Sequence, residues 1–184
     1  MADSIAAIIR NGYGKLIESR LAEGWDGYLM TFMFSKLRGS RYSVLRQMQR
    51  EVERVYATAL TRIVRHPTSP RNVGKLPIWL VCPDYPVPKG ERDRLRDIAL
   101  NDGLHMHGIA VLPPDNRLQV GLDDHLEECQ GLYIGNRGEL LRVDAKPIVS
   151  NPAYVTEYVL KSVQRQRVSL DDVIVLPRVL SELA

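Results

Sequence analysis

Two histidines separated by one residue, His105 and His107, are the first feature of this 184-residue chain that suggests chemistry. They lie in an apolar stretch, residues 104–112, between Asn-Asp-Gly and Pro-Pro-Asp segments that predict turns on either side of a strand. Because side chains alternate along a strand, both imidazoles point to one face. Two such imidazoles are half of a metal site. A pair of ordinary, half-buried histidines is the alternative interpretation.

A second group of polar side chains follows Asn151-Pro152, which predicts the start of a helix over residues 152–166 because proline suits the first helical turn. Two tyrosines, a lysine and an arginine recur along it at spacings of four, three and four residues, and therefore lie on one stripe. These residues are Tyr154, Tyr158, Lys161 and Arg165. The alternative is a pair of boundary tyrosines beside a solvated lysine.

Together the two groups suggest attack of a phenol on a phosphodiester. A phenol is a poor nucleophile at neutral pH because its ordinary pKa is about 10, and a nearby cation favours the phenolate. A divalent metal on the two histidines would polarise the phosphodiester and stabilise charge that develops on phosphorus. Tyrosine attack then leaves a covalent phosphotyrosine and a free sugar hydroxyl. Two tyrosines one helical turn apart could alternate as nucleophiles.

The composition restricts the class of protein. Hydrophobic residues make up 45% and charged residues 26% of the chain, which is typical of a soluble globular protein. No apolar run approaches the roughly 18 residues that cross a membrane, and no secretory signal is recognisable. The two cysteines, Cys82 and Cys129, are far apart, so we expect reduced thiols, a cytoplasmic location and no membrane partner. A net charge of +3 permits nucleic-acid binding without requiring it.

The elements that must position these groups follow from hydrophobic periodicity. The clearest is a long amphipathic helix over residues 42–66, which contains no Gly or Pro and has Ser43 as its expected N-cap. Other helices are predicted in two short pieces within residues 4–22, broken at 11–14, and at 91–100, 152–166 and 177–184, whereas 119–130 is helix or loop. Strands are predicted at residues 28–34, 76–82, 104–112, 132–134, 140–145 and 173–176.

This order of elements predicts the fold class. Strands interrupted by helices, with hairpin-like spacing late in the chain, indicate an α+β fold with a central antiparallel sheet and flanking helices. We expect a single domain over residues 1–184, with a core over 26–166, an N-terminal helical extension over 1–25 and a C-terminal extension over 167–184.

In its motifs and their order, the chain resembles the HUH endonucleases, which include replication initiators, relaxases and some transposases. Their first motif is an apolar strand with a threonine, and residues 28–34 around Thr31 resemble it. Their second, His-hydrophobe-His on a strand, is matched by His105-Met106-His107. Their third is a helix with tyrosine and lysine. Tyr154-Val-Thr-Glu-Tyr158 resembles the paired tyrosines of phage and plasmid initiators, and Tyr158-Val-Leu-Lys161 resembles the single-tyrosine form.

The resemblance spans roughly residues 26–166 and implies a replication-initiator nuclease with a ferredoxin- or RRM-like core. It implies Mg²⁺ or Mn²⁺ as cofactor and nicking and joining of single-stranded DNA at an origin or hairpin. The expected biological role is initiation of rolling-circle replication of a phage, plasmid or mobile element, with a host helicase as candidate partner. The roles it implies for individual residues are metal ligands at His105 and His107, nucleophiles at Tyr158 and Tyr154, phosphate neutralisation by Lys161, and DNA contacts by Thr31, Arg165 and Arg167.

Two points stay open at this stage. A third metal ligand is expected from a neighbouring strand or helix, and Asp144, Gln164 and Asp97 are the candidates. Glu157 stands where paired-tyrosine initiators often carry a lysine, which favours a catalytically inactive DNA-binding protein of the same fold as the alternative. A metal-dependent hydrolase of small phosphoesters is a third hypothesis, and it requires a closed pocket.

Overall fold

An antiparallel sheet forms the centre of the molecule. The computed structural model describes residues 2–84, 104–135 and 139–178, and within them the sheet has five strands. The strands are β1 (Asp26–Phe34), β2 (Ile78–Asp84), β3 (His105–Leu112), β4 (Leu140–Pro147) and β5 (Ile174–Leu176). Their order is β4-β1-β3-β2-β5, and every neighbouring pair is antiparallel. Since helices flank this sheet, the predicted α+β fold class is confirmed.

The helices pack on both faces of the sheet. In chain order they are α1 (Ala2–Ala22), α2 (Arg41–Ile63), α3 (Leu122–Glu128), α4 (Gln130–Tyr133), α5 (Pro152–Val159) and α6 (Lys161–Gln164). The apolar side of α2 covers one face, which we call the α2 face and which includes Phe32, Trp79 and Met106. The other, the α5 face, includes Ile109 and Val111 and is covered by α1, α5 and α6.

Some predicted elements differ from the structure. The predicted break at residues 11–14 is wrong, because α1 is continuous through both glycines; packing of Ile17 in the α5-face core offsets their low helix propensity. Residues 132–134 are not a strand: α4 ends at Tyr133, whose buried hydroxyl lies 2.8 Å from His125 Nε2. A short apolar run does not distinguish strand from helix by periodicity alone.

The long helix α2 begins slightly earlier than predicted. Its N-cap is Ser40, not Ser43, because Ser40 has extended backbone angles and its hydroxyl accepts a hydrogen bond from the Ser43 amide. The predicted helix over residues 91–100 lies outside the described residues, as do residues 179–184 of the predicted C-terminal helix. The ambiguous segment 119–130 contains α3.

The phase of β3 decides where the two histidines lie. Met106, Ala110 and Leu112 belong to the α2-face core, whereas Ile109 and Val111 belong to the α5-face core. The period-two alternation of a strand therefore puts His105 and His107 on the α5 face, below the helix that carries the predicted tyrosines.

Gly108, between His107 and Ile109, is required for close packing of β3 on β2. A Cβ atom there would lie 2.8 Å from Val81 Cγ2 and 3.0 Å from the Leu80 carbonyl oxygen. We expect Gly108→Ala to lower the free energy of unfolding by about 1–3 kcal/mol in urea denaturation. Gly131→Ala is the matched control, since nothing lies within 4 Å of its Cβ position in α4. It should leave stability unchanged or raise it by about 0.5–1 kcal/mol, and equal losses in both variants would contradict the packing argument.

Candidate metal centre

Two histidines and an aspartate meet on the α5 face at one end of β2 and β3. The Oδ2 atom of Asp84 lies 3.5 Å from His105 Nε2 and 3.7 Å from His107 Nε2, and the two Nε2 atoms are 3.0 Å apart. Asp84 pairs directly with His105 in the antiparallel register of β2 and β3, and His107 follows two residues later on the same face. The register therefore brings three metal-ligating side chains together.

The separations of these atoms fit a single cation. Ligand atoms about 2.0–2.2 Å from one ion lie roughly 3 Å or slightly more from each other. The three candidate ligand atoms all lie within 4.8 Å of one another. Asp84 is 3% exposed and His107 is 9% exposed, so the walls of the site exclude most solvent. Asp84, His105 and His107 are therefore a candidate metal centre.

Burial and neighbouring charges favour the metal-binding protonation states. Burial would raise the pKa of Asp84, but hydrogen bonds from His105, Lys161 and Ser162 outweigh it and lower that pKa, so the carboxylate is ionised. Burial, with His105 adding to it, lowers the pKa of His107 to about 4, so its imidazole is neutral near pH 7. A neutral imidazole and an ionised carboxylate are the forms that bind a cation.

Thr31 and Cys82 are the cross-strand neighbours of His107. The Thr31 hydroxyl lies 3.2 Å from His107 Nδ1, and this hydrogen bond holds the ring with Nε2 directed towards Asp84. Thr31, for which the resemblance implied a DNA contact, therefore orients a candidate ligand. Burial raises the pKa of the Cys82 thiol to about 12, so the thiol is protonated near pH 7, and the group of three candidate ligands does not include it.

Tyr158 and Lys161 reach this centre from the helices above it. The Tyr158 hydroxyl lies 3.4 Å from His107 Nε2. Lys161 Nζ lies 2.7 Å from Asp84 Oδ2 and 3.9 Å from the centre of the Tyr158 ring. A phenol, an ammonium group and the three candidate ligands thus form one cluster, and the tyrosine and lysine belong to the predicted helical stripe.

The predicted single helix over residues 152–166 is in fact two helices. α5 ends at Val159, the backbone turns at Leu160 (φ −89°, ψ 7°), and α6 begins at Lys161. This turn lets both Lys161 and Ser162 contact Asp84, with the Ser162 hydroxyl donating to Oδ1 at 2.6 Å. Leu160 is 3% exposed, and its burial in the α5-face core holds the turn in place.

The remaining predicted residues lie further out. Tyr154 is 62% exposed, one helical turn before Tyr158. Arg165 and Arg167 are exposed, and the Arg167 carbonyl oxygen accepts a hydrogen bond from the Arg41 guanidinium group. The structure brings the inner tyrosine to the candidate metal centre and leaves the outer tyrosine and both arginines on the surface.

The sequence reasoning missed Asp84 as a third candidate ligand. Asp144 lies on the same face but two strands from His107, paired with Arg142 at 2.7 Å. Gln164 is exposed and Asp97 lies outside the described residues. The predicted strand over residues 76–82 stops before Pro83, because proline is disfavoured inside a sheet, whereas β2 continues through Pro83 and Asp84. The sequence signal that could have identified Asp84 is a carboxylate two residues after the apolar run of a strand.

An open groove of about 910 Å³ leads away from the centre towards the edge strand β4. Its lining near the centre comprises His107, Tyr158, Thr31, Leu29, Met33, Arg142, Asp144 and Lys146. Beyond β4 the groove continues along α3, where Asp123, Asp124 and Glu127 line it. Among residues 2–84, 104–135 and 139–178, the site therefore adjoins a groove long enough for an extended ligand on its His107 and Tyr158 side.

The fold and the site define an α+β protein with a candidate metal centre on one face of an antiparallel sheet. In comparisons with known proteins, no family model, curated protein or solved structure matches this chain. Among the described residues, no helix is long and apolar enough to span a bilayer.

Proposed function

We propose that this protein is a metal-dependent endonuclease of the HUH type, which cuts and rejoins single-stranded DNA through Tyr158. The observation that carries the proposal is the 3.4 Å distance between the Tyr158 hydroxyl and Nε2 of the candidate ligand His107. A hydroxyl at that distance from a metal centre is within reach of a phosphate held at the same centre.

In the proposed reaction the Tyr158 phenol oxygen attacks phosphorus. A bond forms between that oxygen and phosphorus, and the bond from phosphorus to one sugar oxygen breaks. The phenol loses its proton, and the departing sugar oxygen gains one, so the products are a phosphotyrosine and a free sugar hydroxyl. A divalent cation held by Asp84, His105 and His107 would withdraw charge from the phosphate during this attack.

Lys161 supplies positive charge between the nucleophile and Asp84. The Lys161 ammonium group lies 3.9 Å from the centre of the Tyr158 ring, and 22% of the lysine side chain is exposed to solvent. A cation there reduces the repulsion between an oxygen nucleophile and an anionic phosphodiester. Because the adduct preserves the energy of the phosphodiester, the same groups can return the strand to a sugar hydroxyl and rejoin it.

The ligand set favours manganese over magnesium. Mg²⁺ prefers oxygen ligands and retains water, whereas Mn²⁺, although it binds nitrogen less tightly than the later transition metals do, accepts imidazole more readily than Mg²⁺ does. Two imidazoles and one carboxylate therefore support Mn²⁺ as the tighter-binding ion, with Mg²⁺ as the alternative.

The open groove supports a single-stranded substrate. Near the centre its wall carries Lys146, Leu29 and Met33, which offer a cation for a phosphate and apolar side chains for unstacked bases. Arg142 on the same wall is paired with Asp144, and the far end of the groove along α3 is acidic, so the strand is expected to bind at the end near the centre. An origin or hairpin with an exposed single strand is the proposed target, as in the initiation of rolling-circle replication, with a host helicase to unwind the duplex.

Formation of a covalent protein–DNA adduct tests the proposal. The purified protein is incubated with a mixture of single-stranded oligonucleotides and Mn²⁺ and then separated on a denaturing gel. We expect a band of higher mass that contains both protein and DNA and disappears when EDTA is added. Binding without an adduct for every oligonucleotide, including candidate origins near the protein's own gene, would reject the nuclease in favour of a DNA-binding protein of the same fold.

A further inference from the structure

The two oxygens of the Asp84 carboxylate have different partners. Oδ1 accepts a hydrogen bond from Ser162 at 2.6 Å. Oδ2 faces the Nε2 atoms of both histidines and at the same time lies 2.7 Å from Lys161 Nζ. The ammonium group of Lys161 and a cation bound between the histidines would therefore contact the same oxygen atom.

We propose that Lys161 neutralises Asp84 when no divalent cation is bound, and that cation binding displaces its ammonium group from Oδ2 towards the Tyr158 side of the site. This inference rests on the proposed function only in assuming that Asp84, His105 and His107 bind a divalent cation. It requires neither DNA nor cleavage.

Burial explains why the carboxylate needs such a partner. Asp84 is 3% exposed, and an ionised carboxylate at that depth is costly unless a positive charge or several donors compensate it. Lys161 supplies that charge when the site holds no metal ion. A bound dication supplies it instead, and the two positive groups then repel each other across a few ångströms of partly desolvated space.

Lys161 can move in response. Its side chain is 22% exposed, whereas that of Asp84 is 4% exposed, so the flexible lysine stem has access to solvent and the carboxylate does not. The ammonium group already lies 3.9 Å from the centre of the Tyr158 ring. A small rotation moves it from Asp84 towards the region where the phenol oxygen would meet a phosphate, which couples cation loading to positioning of the lysine.

Ser162, the next residue in α6, should have the opposite effect on cation affinity. It is 2% exposed, and its hydroxyl holds Oδ1 so that Oδ2 remains directed at the histidines. Ser162 is therefore a positioning residue for a ligand, whereas Lys161 competes with the cation. Adjacent substitutions should change cation affinity with opposite signs.

The test is a Mn²⁺ titration without DNA, in which electron paramagnetic resonance follows the free ion. Relative to the wild type, we expect Lys161→Met to bind Mn²⁺ about tenfold more tightly and Ser162→Ala about tenfold more weakly. Lys161→Gln, which lacks the charge but keeps a donor, should also bind more tightly, and Lys161→Arg should resemble the wild type. If Lys161→Met does not fold, the Mn²⁺ affinity of Lys161→Gln still tests the inference.

Two control variants remove comparable interactions elsewhere. Lys75→Met removes the surface ion pair between Lys75 and Asp115, which are 3.4 Å apart. Tyr56→Phe removes a buried hydroxyl that donates to the Pro77 carbonyl oxygen at 2.9 Å in the α2-face core. Neither should change Mn²⁺ affinity.

Equal or weaker Mn²⁺ binding by the folded, uncharged Lys161 variants would overturn the inference, because Lys161 would then support the ligand arrangement. Absence of Mn²⁺ binding in the wild type and in these variants would overturn it too. The inference and the proposed function fail separately. If the protein forms a covalent DNA adduct but the Lys161 variants bind Mn²⁺ more weakly than the wild type, only the proposed nuclease activity is retained. If those variants bind Mn²⁺ more tightly but no adduct forms, only the displacement of Lys161 is retained.

Discussion

Replacement of Tyr158 by phenylalanine is expected to abolish the covalent protein–DNA adduct and lower the cleavage rate by at least about 10³-fold. The substitution removes only the phenol oxygen, which lies 3.4 Å from His107 Nε2. The ring remains, and with it the cation–π contact with Lys161. Loss of cleavage should therefore occur without a comparable loss of thermal stability. The adduct is measured on a denaturing gel and stability by thermal unfolding.

Tyr154→Phe is the matched control on the same helix. Tyr154 is 62% exposed, so its hydroxyl is not part of the cluster at the candidate metal centre. This variant should form the first adduct at close to the wild-type rate. An adduct that persists in Tyr158→Phe and disappears in Tyr154→Phe would show that the roles of the two tyrosines are reversed.

The second large effect is expected for Asp84→Asn. The amide has nearly the shape of the carboxylate but no charge, so a cation loses its anionic ligand while the fold retains the side-chain volume. We expect Mn²⁺ affinity to fall by at least about 100-fold, and cleavage to fall with it. The measurement is Mn²⁺ titration, followed by the adduct assay at a Mn²⁺ concentration that saturates the wild type.

Asp115→Asn controls for loss of a lysine–aspartate pair. Asp115 faces Lys75 at 3.4 Å on the surface, where 68% of its side chain is exposed. Exposed ion pairs contribute roughly 0–1 kcal/mol, so this variant should match the wild type in stability and in Mn²⁺ binding. Wild-type Mn²⁺ affinity in Asp84→Asn would exclude Asp84 as a metal ligand.

The sequence predicted the parts of the site that depend on local periodicity. Alternation along a strand is enough to put His105 and His107 on one face. Helical spacing predicted that Tyr158 and Lys161 would be neighbours, but the turn at Leu160, which the spacing did not reveal, divides that helix. The α+β class followed in the same way, from strand-like and helix-like patterns in a recognisable order. The predicted strand at residues 132–134 was wrong because so short an apolar run is compatible with either a strand or a helix. Burial of Tyr133 favoured the helix.

Only the tertiary structure determined which residues that are distant in sequence contact each other. Asp84 meets His105 through the register of β2 and β3, and Thr31 meets His107 through the register of β1 and β3. Register between strands far apart in the chain is determined by the packing of whole sheet faces, which no local pattern encodes. The same holds for the two tyrosines, because equal spacing on a helix does not reveal which turn lies against the sheet. The sequence by itself determined which side chains share a face, and the packed sheet decided which of them touch.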